Sequence, residues 1–277
     1  MGGPKAALLI AVAILLYNRA AMQLSLAPRV ALITGGSRGI GAATVRVFCA
    51  AGAKVVFNYH SARTEADVLV RECGIANCHA VQSDLSTAPA TRELVAATVA
   101  KFGRLDILVA NHGVWPPEDV PIDQMPDEQW RRTMAVNLDS VFGLIKHSVG
   151  QMKKQGGNPA GHVVLVSSTS GQRGEAFHCD YSATKGALIS MVKGLSTELA
   201  PHHIYVNSVA PGWVDTDMSR PALNDPPIRA KIFGGIPLGR VGTPEEIAGP
   251  ILFLCTPFAG FITGEIFNVN GGAVLVG

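Results

Sequence analysis

The sequence predicts an α/β fold: one doubly wound parallel sheet with helices on both faces. Three observations predict it. From Arg29 onward, short apolar runs alternate with amphipathic stretches, the pattern of repeated strand–helix units with right-handed crossovers. A glycine-rich turn joins the first run to the first helical stretch. Apolar residues make up 48% of the 277 residues and aromatics only 6%, with 30 glycines. Small and aliphatic side chains suit buried parallel strands under closely packed helices.

The elements follow in order. Val30–Ile33 reads as the first strand and Ile40–Ala51 as the first helix. Lys54–Phe57 is a second strand, and Thr64–Cys73 is a second helix with apolar positions at helical spacing. Cys78–Gln82 is a third strand, followed by a helix over Pro89–Phe102 that opens on proline. Ile107–Ala110 is a fourth, wholly apolar strand. Pro126–Lys154 is one long helical stretch, and His162–Ser167 a strand. Tyr181–Ala200 is a helix, Ile204–Ser208 a strand, Pro244–Cys255 a helix and Ile266–Val269 the last strand. The segment from Ser219 to Gly235, with Pro221, Pro226, Pro227 and Gly234-Gly235, is expected to be an irregular, mobile cover over a cleft. No repeat or linker interrupts the series, so residues 28–277 are expected to form one domain, with residues 1–27 an extension outside it.

Charge and cysteine usage exclude some classes. The 23 basic and 21 acidic residues give a net charge of +2 without a basic run, so nucleic acid is not an expected partner. Cys49, Cys73, Cys78, Cys179 and Cys255 are odd in number and contain no C-x-x-C pair. A disulfide framework is not expected, and the cytoplasm is the expected compartment. The eight histidines lack metal spacing, and no metal site is expected. Near the N-terminus, Lys5 precedes an apolar run, Ala6–Leu16, of 11 residues. A spanning helix needs about 20. The favoured reading is an extension, with Met22 as an internal start; a membrane-directing segment over residues 6–16 is the alternative.

Thr34-Gly35-Gly36-Ser37-Arg38-Gly39-Ile40-Gly41 joins the first strand to the first helix. Glycines let a backbone approach a pyrophosphate, and the helix N-terminus offers free N–H groups and a favourable dipole. The segment after the second strand, Asn58-Tyr59-His60-Ser61-Ala62-Arg63, carries no acid for a ribose 2′-hydroxyl. Arg38 and Arg63 instead suit a 2′-phosphate, although Arg63 also reads as a solvated helix-start residue. NADP(H) is the expected cofactor, with Tyr59, His60, Ser61 and Arg63 at its 2′-phosphate end.

Tyr181 and Lys185 stand four residues apart, on one face of a predicted helix. A free tyrosine has a pKa of about 10, and a neighbouring ammonium is expected to lower it. Thirteen residues upstream, Ser168 ends an apolar strand, the place for a substrate-orienting hydroxyl.

With these motifs in this order, residues 29–272 resemble the short-chain dehydrogenase/reductase family, and within it the 3-oxoacyl-acyl-carrier-protein reductases. The resemblance implies a Rossmann fold. It assigns Gly35, Ser37, Arg38, Gly39, Ile40 and Gly41 to the cofactor loop, Asp84 and Leu85 to an adenine contact, and Asn111 and Gly113 to the motif after the fourth strand, where His112 replaces the usual alanine. It matches Asn137, Ser168, Tyr181 and Lys185 to the catalytic set, and Pro211, Gly212, Val214 and Thr216 to the segment whose threonine contacts the nicotinamide amide. Tyr181 and Lys185 thereby contact the cofactor as well. The implied reaction is hydride transfer between NADP(H) and a carbonyl or secondary alcohol: Tyr181 moves the proton, Ser168 holds the carbonyl oxygen, Lys185 tunes Tyr181, and Asn137 shapes a water relay. A small carbonyl compound or an acyl thioester is the expected substrate. The alternatives are a sugar or small-ketone dehydrogenase using NAD(H), and a non-catalytic NADP(H)-binding protein. Gln172, Arg173, Phe177, His178 and Trp213 are candidates for the substrate cleft, each equally readable as a loop side chain, and Cys179 reads as a packing thiol. The resemblance also implies a homotetramer, with a dimer as the alternative, and the apolar residues on more than one face of the stretch Trp130–Met152 and of the helix from Tyr181 support an interface there.

Overall fold

The structure, a computed structural model, describes residues 24–276. Seven parallel strands form one sheet: β1 (Val30–Ile33), β2 (Lys54–Tyr59), β3 (Cys78–Gln82), β4 (Ile107–Ala110), β5 (Gly161–Val166), β6 (Ile204–Pro211) and β7 (Ile266–Val269). Their order is β3-β2-β1-β4-β5-β6-β7. The order reverses between β1 and β4, and the crevice beyond their carboxyl ends is where such sheets bind ligands.

Ten α-helices accompany the strands among the described residues: α1 (Gly39–Ala50), α2 (Arg63–Cys73), α3 (Ala88–Phe102), α4 (Asp127–Met134), α5 (Ser140–Gln155), α6 (Thr169–Arg173), α7 (Cys179–Leu199), α8 (Arg220–Asn224), α9 (Pro226–Gly234) and α10 (Pro244–Phe253). Strand alternation divides the core into two layers. Ala31, Ile33, Val55, Phe57, Val109 and Val164 belong to one layer, with Phe48 of α1, Leu69 of α2 and Ile251 of α10. Leu32, Val56, Leu108, Val163 and Leu165 belong to the other, with Leu94 of α3, Leu144 of α5 and Leu188 of α7. Each such buried aliphatic side chain contributes about 1.5–3 kcal/mol relative to exposure. At the opposite end of the sheet from the crevice, buried Asp106 accepts the Val30 N–H at 2.8 Å and pairs with Arg104 at 2.7 Å, which fixes β1 against β4.

The expected fold class stands, with three local differences. The helical stretch expected over Pro126–Lys154 is divided by a π-helical turn, Ala135–Asp139, between α4 and α5. The Asn137 amide within it pairs with the Val114 backbone rather than facing solvent, and π turns recur at functional sites. The expected irregular cover contains α8 and α9. Its prolines start helices instead of breaking them: Pro226 follows Asp225, whose carboxylate accepts the Ile228 N–H at 3.1 Å. A short α6 also follows Ser168. At the N-terminal side, Leu26 is already core, 1% exposed, and its N–H donates to Ala51 O at 2.8 Å. The apolar run at residues 6–16 and Met22 lie outside the described residues. No described helix is long and apolar enough to cross a membrane.

Candidate active site

The crevice begins where β1 ends. Buried Thr34 donates its N–H to Val109 O at 3.0 Å, and its hydroxyl oxygen accepts the N–H groups of Asn111 (3.0 Å) and His112 (3.3 Å). The Asn111 amide donates to Thr34 O at 2.9 Å and Gly35 O at 3.3 Å. On the other side, Asn58 accepts the Gly35 N–H on its side chain (2.8 Å) and the Gly36 N–H on its carbonyl (2.9 Å). Asn58 thus holds the glycine loop in place, a role not read from the sequence. Its signal was an amide at the end of an apolar strand.

Gly35 adopts φ 63°, which an L side chain rarely tolerates. At Gly41 a Cβ would stand 2.0 Å from Gly35 O, so the loop closes only over glycine. The N-terminus of α1 has no side-chain cap and no acid in its first turn. Its amides are therefore free for an anion. Thr216 comes over the same loop, since a Cβ on Gly39 would meet its methyl at 3.3 Å. Pro211 ends β6, Gly212 N–H donates to Val269 O, and Val214 bridges to Gly242, which carries that segment across the crevice.

The residues expected at a 2′-phosphate are solvated. His60, Ser61 and Arg63 are exposed, as is Arg38. Arg38 stands 3.7 Å from Asp217 and Arg63 stands 3.9 Å from Asp67, both beyond hydrogen-bond reach. Tyr59 is placed differently from expectation. Strand alternation puts its ring with Val55 and Phe57 in the core, and only its carbonyl, which accepts from Ser83 N–H, lies at the strand end. Leu85 is likewise buried, while Asp84 is exposed and its carboxylate accepts the Ser86 N–H at 3.0 Å. That bond holds Asp84 below the usual carboxylate range.

The catalytic candidates converge at the other end. Ser168 caps α6, and its hydroxyl oxygen accepts the Ser170 N–H at 3.1 Å. Tyr181 and Lys185 share one face of α7. Lys185 Nζ donates to Val166 O at 2.8 Å and lies 5.7 Å from the Tyr181 ring centre. The amide of buried Asn137 is pinned at both ends: its oxygen accepts the Val114 N–H and its nitrogen donates to Val114 O, each at 2.8 Å. It also donates to Thr184 Oγ1 at 3.4 Å. Gly113 faces this group: a Cβ there would lie 3.3 Å from the Asn137 oxygen and 3.5 Å from Lys185 Nζ.

Electrostatics at this end depart from the sequence expectation. Burial pushes Tyr181 up to about 12; the Ser168 hydrogen bond pulls it down and Glu175 pushes it up. Burial also pulls Lys185 down to about 8. Lys185 was expected to bring the phenol down. In this geometry desolvation of each group disfavours its charged form and wins, so Tyr181 holds its proton at neutral pH.

His112, expected only to alter packing, joins the two ends. Its Nδ1 is 2.7 Å from Thr34 Oγ1, and its Nε2 is 2.7 Å from Ser140 Oγ. Ser140 donates to Val136 O at 2.6 Å, which uses its one proton. It must therefore accept from His112 Nε2–H, and Thr34 must donate to Nδ1. Burial pushes His112 down to about 3, so the ring is neutral, as this ordering requires. One chain of hydrogen bonds thus runs from the cofactor loop to the π turn that holds Asn137.

On the substrate side, Trp115 meets His178 edge-on at 4.7 Å and Trp213 at 6.1 Å. Trp115 was missed; its signal was an aromatic followed by two prolines just after β4. Phe177, at φ 67°, lines a cavity of about 290 Å³ with Val120, Ile122 and Cys179. Gln172 is engaged with Asn268 at 2.6 Å, and Arg173 is exposed.

These residues fit a nicotinamide dinucleotide: a glycine cradle at a free helix start, no acid after β2, and an uncluttered Gly113 beside Lys185. Comparison with known proteins agrees. Residues 35–274 match the family model described as Enoyl-(Acyl carrier protein) reductase. A 3-oxoacyl-[acyl-carrier-protein] reductase of Synechocystis sp. is 41% identical over 255 residues, 91% of this chain and 99% of the relative. The Pseudomonas aeruginosa RhlG/NADP active-site complex is 34% identical with TM-score 0.83, covering 91% of this chain and 99% of that one. A 3-ketoacyl-(acyl-carrier-protein) reductase from Brucella melitensis, complexed with NADH, is 30% identical with TM-score 0.82, covering 91% and 100%. The chain belongs to the short-chain dehydrogenase/reductase family, as an oxidoreductase acting on CH–OH groups.

Proposed function

We propose that this chain is an NADP(H)-dependent ketoreductase that reduces 3-oxoacyl thioesters, with Tyr181 as proton donor. The observation that carries the reading is the convergence of Ser168, Tyr181, Lys185 and Asn137 at one end of a dinucleotide crevice, with the phenol held neutral. The likeness to a 3-oxoacyl-[acyl-carrier-protein] reductase supports the substrate class.

NADPH, when bound, supplies the hydride. The Ser168 hydroxyl oxygen accepts the Ser170 N–H, and its hydrogen bond to Tyr181 puts both hydroxyls where one substrate carbonyl oxygen can accept from each. Tyr181 gives its proton to that oxygen as negative charge develops there. Lys185, anchored on Val166 O, keeps a cation beside the phenol as it loses its proton. Asn137 fixes the π turn against Val114 and Thr184 and keeps the floor of the site in shape. Trp115, His178 and Trp213 form an aromatic wall that excludes water from the reacting carbonyl. At the far end, Arg38 and Arg63, each loosely paired, can turn to a 2′-phosphate, where each charge-assisted hydrogen bond is worth about 1.5–3 kcal/mol. His60 and Ser61 add donors there.

The test is a substrate panel followed at NADPH absorbance: acetoacetyl thioesters of acyl carrier protein and of CoA, sugars, and simple ketones. The reading expects the thioesters to have the highest kcat/KM with NADPH. Faster turnover of a sugar, or equal use of NADH, overturns the corresponding half of it.

The same reading makes the protein a homotetramer with the outer side of α5 in an interface, since Phe142 there is 57% exposed. Light scattering should return four times the 29.0 kDa chain mass. The mass of one chain would refute any stable assembly. All five cysteines are free, which suits a cytoplasmic enzyme. Fractionation with and without residues 1–21 should leave it in the supernatant; sedimentation with membranes would contradict that.

A further inference from the structure

A second cluster of reactive side chains lies at the opposite edge of the sheet from the crevice. Cys49 is next to the last residue of α1, Cys73 closes α2 and Cys78 opens β3. Their sulfurs all lie within 4.8 Å of one another. Sequence spacing hid this, because three different elements supply the three thiols. Cys49 lies ten residues beyond Gly39, about 15 Å along the helix axis at 1.5 Å per residue, so the catalytic account makes no use of the cluster. Cys78 is buried, while Cys49 and Cys73 are half-buried, so an ion can enter from solvent.

Two features distinguish this cluster from thiols that only pack. First, a disulfide would need two sulfurs at about 2.0 Å and would strand the third. A metal with bonds of about 2.3 Å to sulfur instead sits among three sulfurs about 4 Å apart. Second, Arg46, three residues before Cys49 on α1, pairs at 2.8 Å with Glu72, the neighbour of Cys73, which keeps a guanidinium next to what would be an anionic complex.

We propose that Cys49, Cys73 and Cys78 form a trigonal thiolate site for one thiophilic d10 cation, with Cu⁺ the best-matched ion. Thiolates select soft cations. Three sulfurs complete the coordination of Cu⁺, whereas Zn²⁺ takes four ligands, and no imidazole or carboxylate joins the group among the described residues. Binding forms three Cu–S bonds, releases the three thiol protons to solvent and changes no oxidation state.

The test uses the full-length, reduced protein under anaerobic conditions. Cu⁺ is presented as its coloured bicinchoninate complex, and loss of colour reports transfer to the protein. Wild type and Cys179→Ser should each withdraw one Cu⁺ per chain. Cys73→Ser should bind at least tenfold more weakly, and the triple variant Cys49→Ser/Cys73→Ser/Cys78→Ser should withdraw none. Circular dichroism checks that each variant is folded, and the single variant decides if the triple one is not. No withdrawal by wild type, or undiminished withdrawal by folded Cys73→Ser, overturns the site. Displacement of bound Cu⁺ by equimolar Zn²⁺ overturns its trigonal assignment.

Discussion

The two ends of the crevice are built by opposite means. At the end proposed for a 2′-phosphate the charged groups are exposed: the side chains of Arg38 and Arg63 are 62% and 75% accessible and stand apart from their nearest acids. At the catalytic end Asn137 and Lys185 are buried and His112 is half-buried, and each has a fixed hydrogen-bond partner. Charges in water are screened and adjustable, so the first end can select between related cofactors at modest cost. Buried groups cannot rearrange cheaply, so the second end fixes one geometry and one protonation state. The difference teaches where substitution should hurt.

Tyr181→Phe should have the largest effect. It removes the proton donor and leaves the loop from Gly35 to Gly41 untouched. Turnover should fall by about 10²–10⁴-fold, the range for general acid catalysis, while NADPH affinity by fluorescence titration stays within about twofold. Next comes His112→Ala, which deprives Thr34 and Ser140 of their partner. Each buried group left unpaired costs about 1–3 kcal/mol, readable as a lower urea midpoint. His112→Gln, which can both donate and accept, should recover part of it.

The same histidine sharpens the comparison through pH. His112 and His162 are both pushed down to about 3, in each case chiefly by burial. Between about pH 6.5 and 3 the unfolded chain binds protons that the native state refuses, so stability rises with pH across this window and is lost as pH falls. Each histidine contributes a slope of about 1.4 kcal/mol per pH unit there. Denaturation at several pH values should show that acid arm, and His112→Gln should flatten it by one histidine's share. An unchanged slope would mean that His112 titrates normally. The smallest effect belongs to the exposed end: Arg38→Ser should raise the KM for NADPH about tenfold, and leave that for NADH within twofold.

The fold was legible because hydrophobic period and glycine placement carry it. Val30–Ile33, Cys78–Gln82 and Ile107–Ala110 form strands at the predicted bounds. What the sequence could not show depends on which side chains meet in space. The π turn arises because the Asn137 amide finds the backbone of Val114, 23 positions away. His112 looked like an oversized alanine until Thr34 and Ser140 were seen to saturate both of its nitrogens. Tyr59 was assigned by its place at a strand end, but alternation turns its ring into the core. The Tyr181–Lys185 spacing was readable, whereas the sign of the pKa shift was not, because burial outweighs the neighbouring cation.

The central claim is that Tyr181 works as a neutral acid, aided by a Lys185 cation that is lost above about pH 8. Single-turnover reduction of an acetoacetyl thioester by the NADPH-loaded enzyme tests this most directly, with rate constants measured from about pH 6 to 10. Lys185 is lowered by burial, so its charge is present below about pH 8 and lost above it, while Tyr181 keeps its proton through this range. The account predicts a plateau to about pH 7.5 and a decline as pH passes about 8. A rate that climbs from pH 6 through 8 would mean that a phenolate does the work, and would contradict it.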